Sequence, residues 1–253
     1  MEFPDDYIYN EAVRVVGEAR KQNLPLRMFG ACGIRAHCAD RLDLFQRFGR
    51  SLSDIDFVTY QSINPRTLES FFKQVGYNPQ THYNILHSHT RLMFDNDAGL
   101  HVDVFVGNIE FCHVIPLKGR LEADFPAIPL AETLLAKLQI VKITDKDLKD
   151  VAALLLEHEV GPSDQKAINA ERIAEILAND WGFYYTATTN LNHFEKETLT
   201  SLDLTDSERE LLKRRIHEII DKVEQKEKSL SWRMRAKVGT KRKWYNEIDE
   251  VSR

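Results

Sequence analysis

The sequence predicts an α/β (α+β) protein in which a small mixed sheet with flanking helices is followed by a helical C-terminal region. The short runs LRMF and DIDFVTY are apolar or β-branched and are bounded by glycine and polar residues, which is typical of strands. From Pro129 onward, leucines recur three and four residues apart, which is the period of amphipathic helices. We therefore expect two regions, residues 1–120 and residues 121–253.

The first region alternates helices and strands. It begins with an apolar stripe at helical spacing, formed by Ile8, Ala12, Val15, Val16 and Ala19. The strand LRMF leads into GACG, where glycine permits positive φ and a close approach of the backbone, and IRAHCADRLDLF follows as a helix. After the strand DIDFVTY, Pro65 begins a helix that Gly76 ends. The runs YNILHSHTRLMFD and LHVDVFVG flank the turn NDAG and predict two further strands of a meander or hairpin.

The second region consists of helices. The stretches LAETLLAKLQIVK, DKDLKDVAALLLEHE and NAERIAEILANDWGFYYTATTNL each carry apolar residues at helical spacing. A last long helix begins at TDSE, where Thr205 and Glu208 fit a capping box. Its apolar positions keep the same period: Leu212, Ile216, Ile219 and Val223.

Composition excludes several classes of protein. The net charge of −5 argues against a polyanion-binding protein as a whole, so any nucleic-acid contact needs a local basic patch. Three cysteines are too few for a disulfide framework, and the N-terminal residues lack the features of a signal peptide. No apolar run approaches the roughly 20 residues that span a bilayer. We expect a soluble, cytoplasmic protein without a membrane partner.

Three acids form the strongest candidate site. Asp54 and Asp56 are two residues apart on a predicted strand, so their side chains point to the same face. Asp103 stands on another predicted strand, on the face opposite to its neighbouring valines. Two like charges this close are costly to bury unless a cation lies between them, and Mg²⁺ prefers carboxylate oxygens. The alternative is a solvated Asp-x-Asp pair at the end of a strand.

The motifs FGACGIRAH, SLSDIDFV and HVDVF, in this order, resemble the nucleotidyltransferase superfamily of the polymerase-beta fold. That pattern is a Gly-Gly or Gly-Ser turn, an Asp-x-Asp pair and a third Asp. The chain looks most similar to the minimal and stand-alone enzymes of the superfamily, including toxins of the abortive-infection type. The resemblance covers roughly residues 24 to 156, and it departs from the pattern in the turn, where Ala31 follows Gly30.

The resemblance implies a set of site residues. Nucleotide binding would involve Gly30, Ala31, Gly33, Ser53 and Lys137. The metal and catalytic residues would be Asp54, Asp56 and Asp103, and Asp150 would orient Lys137 or a base. Other interpretations stay open, because serines often cap helices or turns and both Lys137 and Asp150 could belong to a hydrated helix face.

The implied reaction transfers a nucleoside monophosphate from a nucleoside triphosphate to a hydroxyl acceptor, with Mg²⁺ as cofactor. Pyrophosphate leaves, and Asp103 helps to deprotonate the acceptor. The acceptor is RNA, a protein or a small molecule, so toxins that modify tRNA or protein and antibiotic-modifying adenylyltransferases both remain candidates. The alternative is a catalytically inactive relative that binds nucleotide or RNA.

Two further features are weaker. Cys32, His37, Cys38, Cys112 and His113 have no spacing of a standard structural zinc site, and we expect none. The segment KEKSLSWRMRAKVGTKRK, residues 226–243, is strongly basic, and Trp232, Trp244 and Tyr245 lie among or directly after its charges. We expect it to dock on the helical region through its aromatic residues, and binding of nucleic acid through phosphates and base stacking stays open.

Overall fold

The structure is a computed structural model that describes residues 3–247. It confirms the predicted fold class, a mixed α/β protein with a small mixed sheet and flanking helices. The helices are α1 (Asp5–Lys21), α2 (Gly30–His37), α3 (Leu42–Arg47), α4 (Pro65–Gln74), α5 (Thr81–His87), α6 (Leu130–Leu138), α7 (Asp145–Glu157), α8 (Ala170–Asn179), α9 (Trp181–His193), α10 (Leu199–Ser201), α11 (Asp206–Gln225) and α12 (Leu230–Val238). The strands are β1 (Leu26–Phe29), β2 (Ile55–Thr59), β3 (Tyr77–Pro79), β4 (Arg91–Asn96), β5 (His101–Val106), β6 (Ile109–Glu110), β7 (Val114–Ile115), β8 (Glu159–Gly161) and β9 (Ala167–Asn169).

The chain forms two compact units. The first contains the chain up to Leu42 together with Arg50–Ile109 and Pro116–Pro129. The second contains Asp43–Gly49, Glu110–Ile115 and the chain from Leu130 onward. The first unit holds the five-stranded sheet, and the second is mostly helical.

The sheet of the first unit has the strand order β1-β2-β5-β4-β3. Strands β2 and β5 are parallel, and the other neighbours are antiparallel. Alternate residues of β2 and β5 lie in one hydrophobic core with α1 and α4: Ile55 and Phe57 of β2, and Val102, Val104 and Val106 of β5. Because side chains alternate along a strand, the residues between them face the other side of the sheet.

Several predicted helices are confirmed. Helix α1 buries the five residues of the predicted stripe. In α11, Thr205 is the N-cap, its side chain and that of Glu208 form the predicted capping box, and the four predicted apolar positions are buried. In the part of the chain that the structure describes, no helix is both long enough and apolar enough to cross a membrane.

One predicted strand is wrong. The run YNILHSHTRLMFD forms a strand only from Arg91, and its first half belongs to α5. Asn84 explains the difference: its buried amide donates to the Met93 carbonyl (3.1 Å) and accepts from the Met93 N–H (2.8 Å), which anchors α5 on β4. Ile85 and Leu86 are 72% and 70% exposed, so their apolar character does not report a buried strand. His87 ends this helix and therefore does not lie in a hairpin.

The second unit is held by buried polar contacts as well as by its apolar core. Glu132 of α6 is fully buried and accepts from Arg172 Nε (2.9 Å). Arg215 of α11 donates to the carbonyls of Leu155 (2.8 Å) and Leu156 (3.1 Å) at the end of α7. These carbonyls lack partners within their own helix, so the guanidinium satisfies the end of α7 from a neighbouring helix.

Candidate metal and nucleotide site

Asp56 and Asp103 lie side by side on the sheet of the first unit. They are register partners on the parallel strands β2 and β5. The residues on either side of each acid belong to the core of the opposite face, so both carboxylates point away from that core. Asp103 is nevertheless only 3% exposed, which shows that this second face is also covered. A buried carboxylate beside another acid requires a compensating positive charge.

Gly30 provides room for Asp56. It begins α2 with φ of +61°, a conformation that favours glycine. A Cβ atom at this position would overlap Asp56 Oδ2. At Gly33, a Cβ would lie 3.3 Å from the Met28 carbonyl oxygen, so this glycine allows α2 to pack closely on β1. The predicted glycine turn therefore brings backbone directly against one of the predicted acids.

Ala31, the departure from the family pattern, has a packing explanation. Its side chain is 8% exposed and belongs to the hydrophobic core of the first unit, together with Cys32. A hydroxyl at this position would therefore enter an apolar environment. An alanine suits the observed orientation of α2, and the turn can still offer backbone N–H groups to an anion.

Asp54 directly precedes β2 and is half-buried. The Ser53 hydroxyl donates to Asp54 Oδ1 (2.9 Å), and the Cys32 thiol lies 3.6 Å from the Asp54 carbonyl oxygen. Burial, followed by the charges of Asp56 and Asp54, raises the pKa of the Cys32 thiol above its ordinary value. Asp54 and Asp56 thus both lie close enough to Cys32 to raise the pKa of its thiol. The Ser53 hydroxyl is hydrogen-bonded to Asp54.

Arg91 is the functional candidate that the sequence did not reveal. Its Nη2 donates to Asp103 Oδ2 (2.5 Å), and its guanidinium carbon lies 4.9 Å from the ring centroid of Phe105. Its Nε is buried without a hydrogen-bond acceptor among residues 3–247. The sequence feature that could have identified it is an arginine at the start of the apolar run RLMF. The register of β4 and β5 places this arginine on the same face of the sheet as Asp103. Arg91 supplies positive charge to the buried acid.

The site offers the kind of ligand that Mg²⁺ prefers, namely carboxylate oxygens. Within the described part of the chain, no three acidic, histidine or cysteine side chains converge closely enough to form a ready metal site. One of the three predicted acids, Asp103, pairs with Arg91. The residues fit the metal in chemistry and in strand position, and Asp103 would have to share an oxygen now held by Arg91.

Lys137 and Asp150, the other two predicted site residues, belong to the second unit. Lys137 Nζ lies 2.9 Å from Asp150 Oδ2 and 3.1 Å from Asp147 Oδ1. Asp150 is fully buried, so the hydrated-face interpretation is wrong for this residue, and the Lys137 side chain is only 14% exposed. Burial lowers the pKa of Lys137, but the charges of Asp150 and Asp147 outweigh it and raise that pKa overall. Asp150 contacts Lys137, and the role of Asp150 in orienting Lys137 or a base stays a prediction.

A cavity in the first unit lies elsewhere. It has a volume of about 460 Å³ and opens beyond the other ends of β2 and β5, next to Tyr60 and Gly107. Lys118 and Glu122 also line it, and none of the three acids does. This cavity therefore does not mark the acidic site, which is defined by strand register and charge.

The residues considered for zinc have other surroundings. Cys32, Cys38 and Cys112 are buried, and none of them forms a disulfide bond among the described residues. His113 stacks on Phe183 at 4.9 Å between ring centroids and shares a hydrogen bond with the Thr186 hydroxyl (2.9 Å). Burial lowers the pKa of His113 to about 4, so its ring is neutral at physiological pH.

Comparison with known proteins gives no independent identification. No protein-family model matches the chain, and no curated protein matches it at a significant level.

Proposed function

We propose that this protein transfers a nucleoside monophosphate from a nucleoside triphosphate to a hydroxyl acceptor in an Mg²⁺-dependent reaction. The observation that carries the proposal is the register pairing of Asp56 with Asp103 on parallel strands, with Gly30 packed against Asp56. These positions are those that the resemblance to the nucleotidyltransferase superfamily assigns to metal binding and to the phosphate turn. A purely structural pair of acids does not explain why a positive-φ glycine lies where any side chain would overlap Asp56.

The site residues have separate roles in this proposal. Asp54, Asp56 and Asp103 would hold Mg²⁺, which when bound neutralises the charge of the triphosphate and of the leaving group. The backbone N–H groups at the start of α2, in the turn that begins with Gly30, would bind the phosphates of the nucleotide. Asp103 takes the proton of the acceptor hydroxyl, whose oxygen bonds to the α-phosphorus as the bond to pyrophosphate breaks.

Arg91 would orient Asp103 through the hydrogen bond from its Nη2 to Asp103 Oδ2. The Arg91 guanidinium stacks on Phe105 and donates a charge-assisted hydrogen bond to Asp103. A change of its side-chain conformation would break both contacts. If Asp103 held Mg²⁺, the Arg91 guanidinium would be able to donate to a phosphate oxygen at the same site. Arg91 is thus a positioning residue for Asp103.

The second candidate is an inactive relative that binds nucleotide without transferring it. The observation that favours it is the pairing of Asp103 with Arg91, which provides the acid with a permanent countercharge. In that case Arg91 replaces the catalytic cation, and Asp54 and Asp56 alone face the ligand. The two candidates differ in whether Asp103 affects cation binding.

Calorimetric titration of ATP, CTP, GTP and UTP, with and without Mg²⁺, tests both candidates. We expect one or more nucleotides to bind only with Mg²⁺ and binding to be lost in Asp54→Asn/Asp56→Asn. The matched control is Glu69→Gln/Asp97→Asn, which removes the same charge from α4 and an exposed turn of the same unit. The control should bind like the wild type.

The outcomes separate the candidates. Loss of Mg²⁺-dependent binding in Asp103→Asn supports the transferase, and transfer is then sought with radiolabelled nucleotide and RNA, protein and small-molecule acceptors. Unchanged binding in Asp103→Asn supports the inactive relative. A folded wild type that binds none of the four nucleotides contradicts both.

A further inference from the structure

Helix α12 exposes a face that combines positive charge with apolar side chains. At 100° per residue, Leu230, Arg233, Met234 and Lys237 fall within an arc of about 100° on the helix. All four are exposed, Leu230 to 71% and Met234 to 56%. The exposed Lys241 and Arg242 follow directly after the helix. We call these six residues the cationic face.

The opposite side of α12 is docked within the second unit. Trp232 meets Tyr184 of α9 edge to face, with 5.1 Å between ring centroids. The Arg235 guanidinium lies 4.9 Å from the centroid of Trp181. Trp232 and Arg235 lie on the side of the helix that faces away from Arg233 and Lys237. The expectation that aromatic residues dock this segment is thus confirmed, and docking does not use the cationic face.

The chain after α12 is also fixed. Trp244 Nε1 donates to the Thr186 hydroxyl (3.1 Å), and the Asn246 N–H donates to the Cys112 carbonyl (3.0 Å). A Cβ atom on Gly182 would overlap the Trp244 carbonyl oxygen, so the backbone of the segment packs directly on α9. The cations are therefore presented from a preorganised surface, which reduces the ordering cost of binding a partner.

The charges of the cationic face differ from those of the preceding helix. On α11, Lys213, Arg214 and Lys222 each form an ion pair with a glutamate. None of the four cations of the cationic face has an ion-pair or hydrogen-bond partner for its side chain among residues 3–247. Surface cations that only provide solubility do not need to be segregated in this way, since the rest of the surface mixes both signs.

We propose that the cationic face binds single-stranded nucleic acid. Residues 226–243 contain eight basic residues and one acidic residue in a chain with a net charge of −5, so this segment is complementary to phosphates where the protein as a whole is not. Apolar surface for the faces of bases comes from the exposed Leu230 and Met234 and from the partly exposed Tyr245. The ring centroid of Tyr245 lies 5.2 Å from Lys243 Nζ.

The same features favour a single strand over other anionic partners. A duplex hides the faces of its bases, so the apolar side chains between the cations would have no role. A membrane-surface helix needs a broad apolar face with aromatic residues, and on α12 the tryptophan side is occupied by α9. The proposal does not depend on nucleotide transfer, since the cationic face and its contacts all belong to the second unit.

Fluorescence anisotropy of labelled single-stranded RNA and DNA oligonucleotides with the full chain, without nucleotide or Mg²⁺, tests this proposal. Four phosphate contacts on a single strand predict affinity about 50-fold weaker at 200 mM than at 50 mM salt. Arg233→Gln/Lys237→Gln/Lys241→Gln/Arg242→Gln should bind more than about tenfold more weakly than the wild type at low salt. Circular dichroism checks that the variant folds, which we expect because all four side chains are exposed.

The control variant, Lys21→Gln/Lys213→Gln/Arg214→Gln/Lys222→Gln, removes the same charge from cations that are ion-paired. It should bind within about twofold of the wild type. Equal loss in both variants would reduce the effect to net charge and overturn the proposal, as would a wild type that binds no single strand. Tighter binding to duplex, or binding to anionic vesicles in place of oligonucleotides, would overturn it as well.

Discussion

The two units each contain a buried aspartate that pairs with a basic side chain, and the two pairs have different surroundings. In the second unit, Lys137 lies between Asp150 and Asp147 within one helical core. In the first unit, Arg91 pairs with Asp103, which lies beside Asp56 on the neighbouring strand. Both clusters bring two carboxylates and one cation to one place. The two clusters therefore have similar charges, and they differ in the other groups that surround each aspartate.

The Lys137 cluster, formed by Lys137, Asp147 and Asp150, is built into the packing and capping of α7. Asp147 is also the acidic member of the capping box of α7 and accepts from the Thr144 N–H (3.2 Å) and hydroxyl (2.7 Å). Asp150 is fully buried. Asp147 thus caps α7, and Lys137 joins it to the buried Asp150. The Arg91 cluster instead has a positive-φ glycine beside it and a further acid, Asp54, directly before β2. Burial and ion pairing of an aspartate therefore do not by themselves indicate a functional site.

The largest expected effect is on stability, from Lys137→Met. This change leaves Asp150 buried without its cation, and breaking a buried ion pair typically costs about 3–5 kcal/mol in the free energy of unfolding. Urea denaturation monitored by circular dichroism measures it. Lys146→Met, an exposed lysine on α7, serves as the control and should change stability by less than about 0.5 kcal/mol. A Lys137→Met loss as small as the control would show that the pair is not structural.

Gly30→Ala is expected to have the next largest effect, because it combines an unfavourable φ with overlap of the new methyl group and Asp56. We expect a loss of about 2–4 kcal/mol together with loss of Mg²⁺-dependent nucleotide binding. Gly99→Ala separates the two causes, since Gly99 has φ of +86° but open space around a Cβ. It should lose about 1–2 kcal/mol and keep nucleotide binding. Equal loss of binding in both variants would contradict the role of Gly30 in the site.

Arg91→Met should destabilise the protein less than Lys137→Met, by about 1–3 kcal/mol, because the Arg91 side chain is 19% exposed and its loss leaves one buried carboxylate. The sharper expectation is rescue by a divalent cation. Mg²⁺ or Mn²⁺ should raise the melting temperature of Arg91→Met more than that of the wild type, since the cation now meets no competitor for Asp103. Lys137→Met should respond like the wild type. Absence of rescue in Arg91→Met would argue that Asp103 does not face a cation site.

Periodicity predicted the parts of this molecule that depend on local rules. The alternation of β5 placed Asp103 opposite its valines, and the three- and four-residue spacing of α1 and α11 identified their buried faces. The same rules failed at α5, because Asn84 decides its position through contacts with β4 that no local pattern contains. The role of Arg91 was not predicted for a similar reason, because its contact with Asp103 depends on the pairing of β4 with β5.

The smallest expected effect concerns Asp147, which links the Lys137 cluster to the capping box of α7. Although burial acts to raise it, the charge of Lys137 and the hydrogen bonds from Thr144 hold the pKa of Asp147 below its ordinary value of 3.8. A carboxylate with a lowered pKa stabilises the folded state above its unfolded pKa, and this contribution is lost as the pH falls through the folded pKa. Asp147→Asn should therefore cost about 1 kcal/mol near neutral pH. The difference from the wild type should begin to shrink as the pH falls below 3.8, the unfolded value, and should vanish once the pH is below the lowered pKa of the folded state. Thermal unfolding of both proteins from neutral to acidic pH measures this, and a difference that persists in acid would show that Asp147 acts through packing and not through its charge.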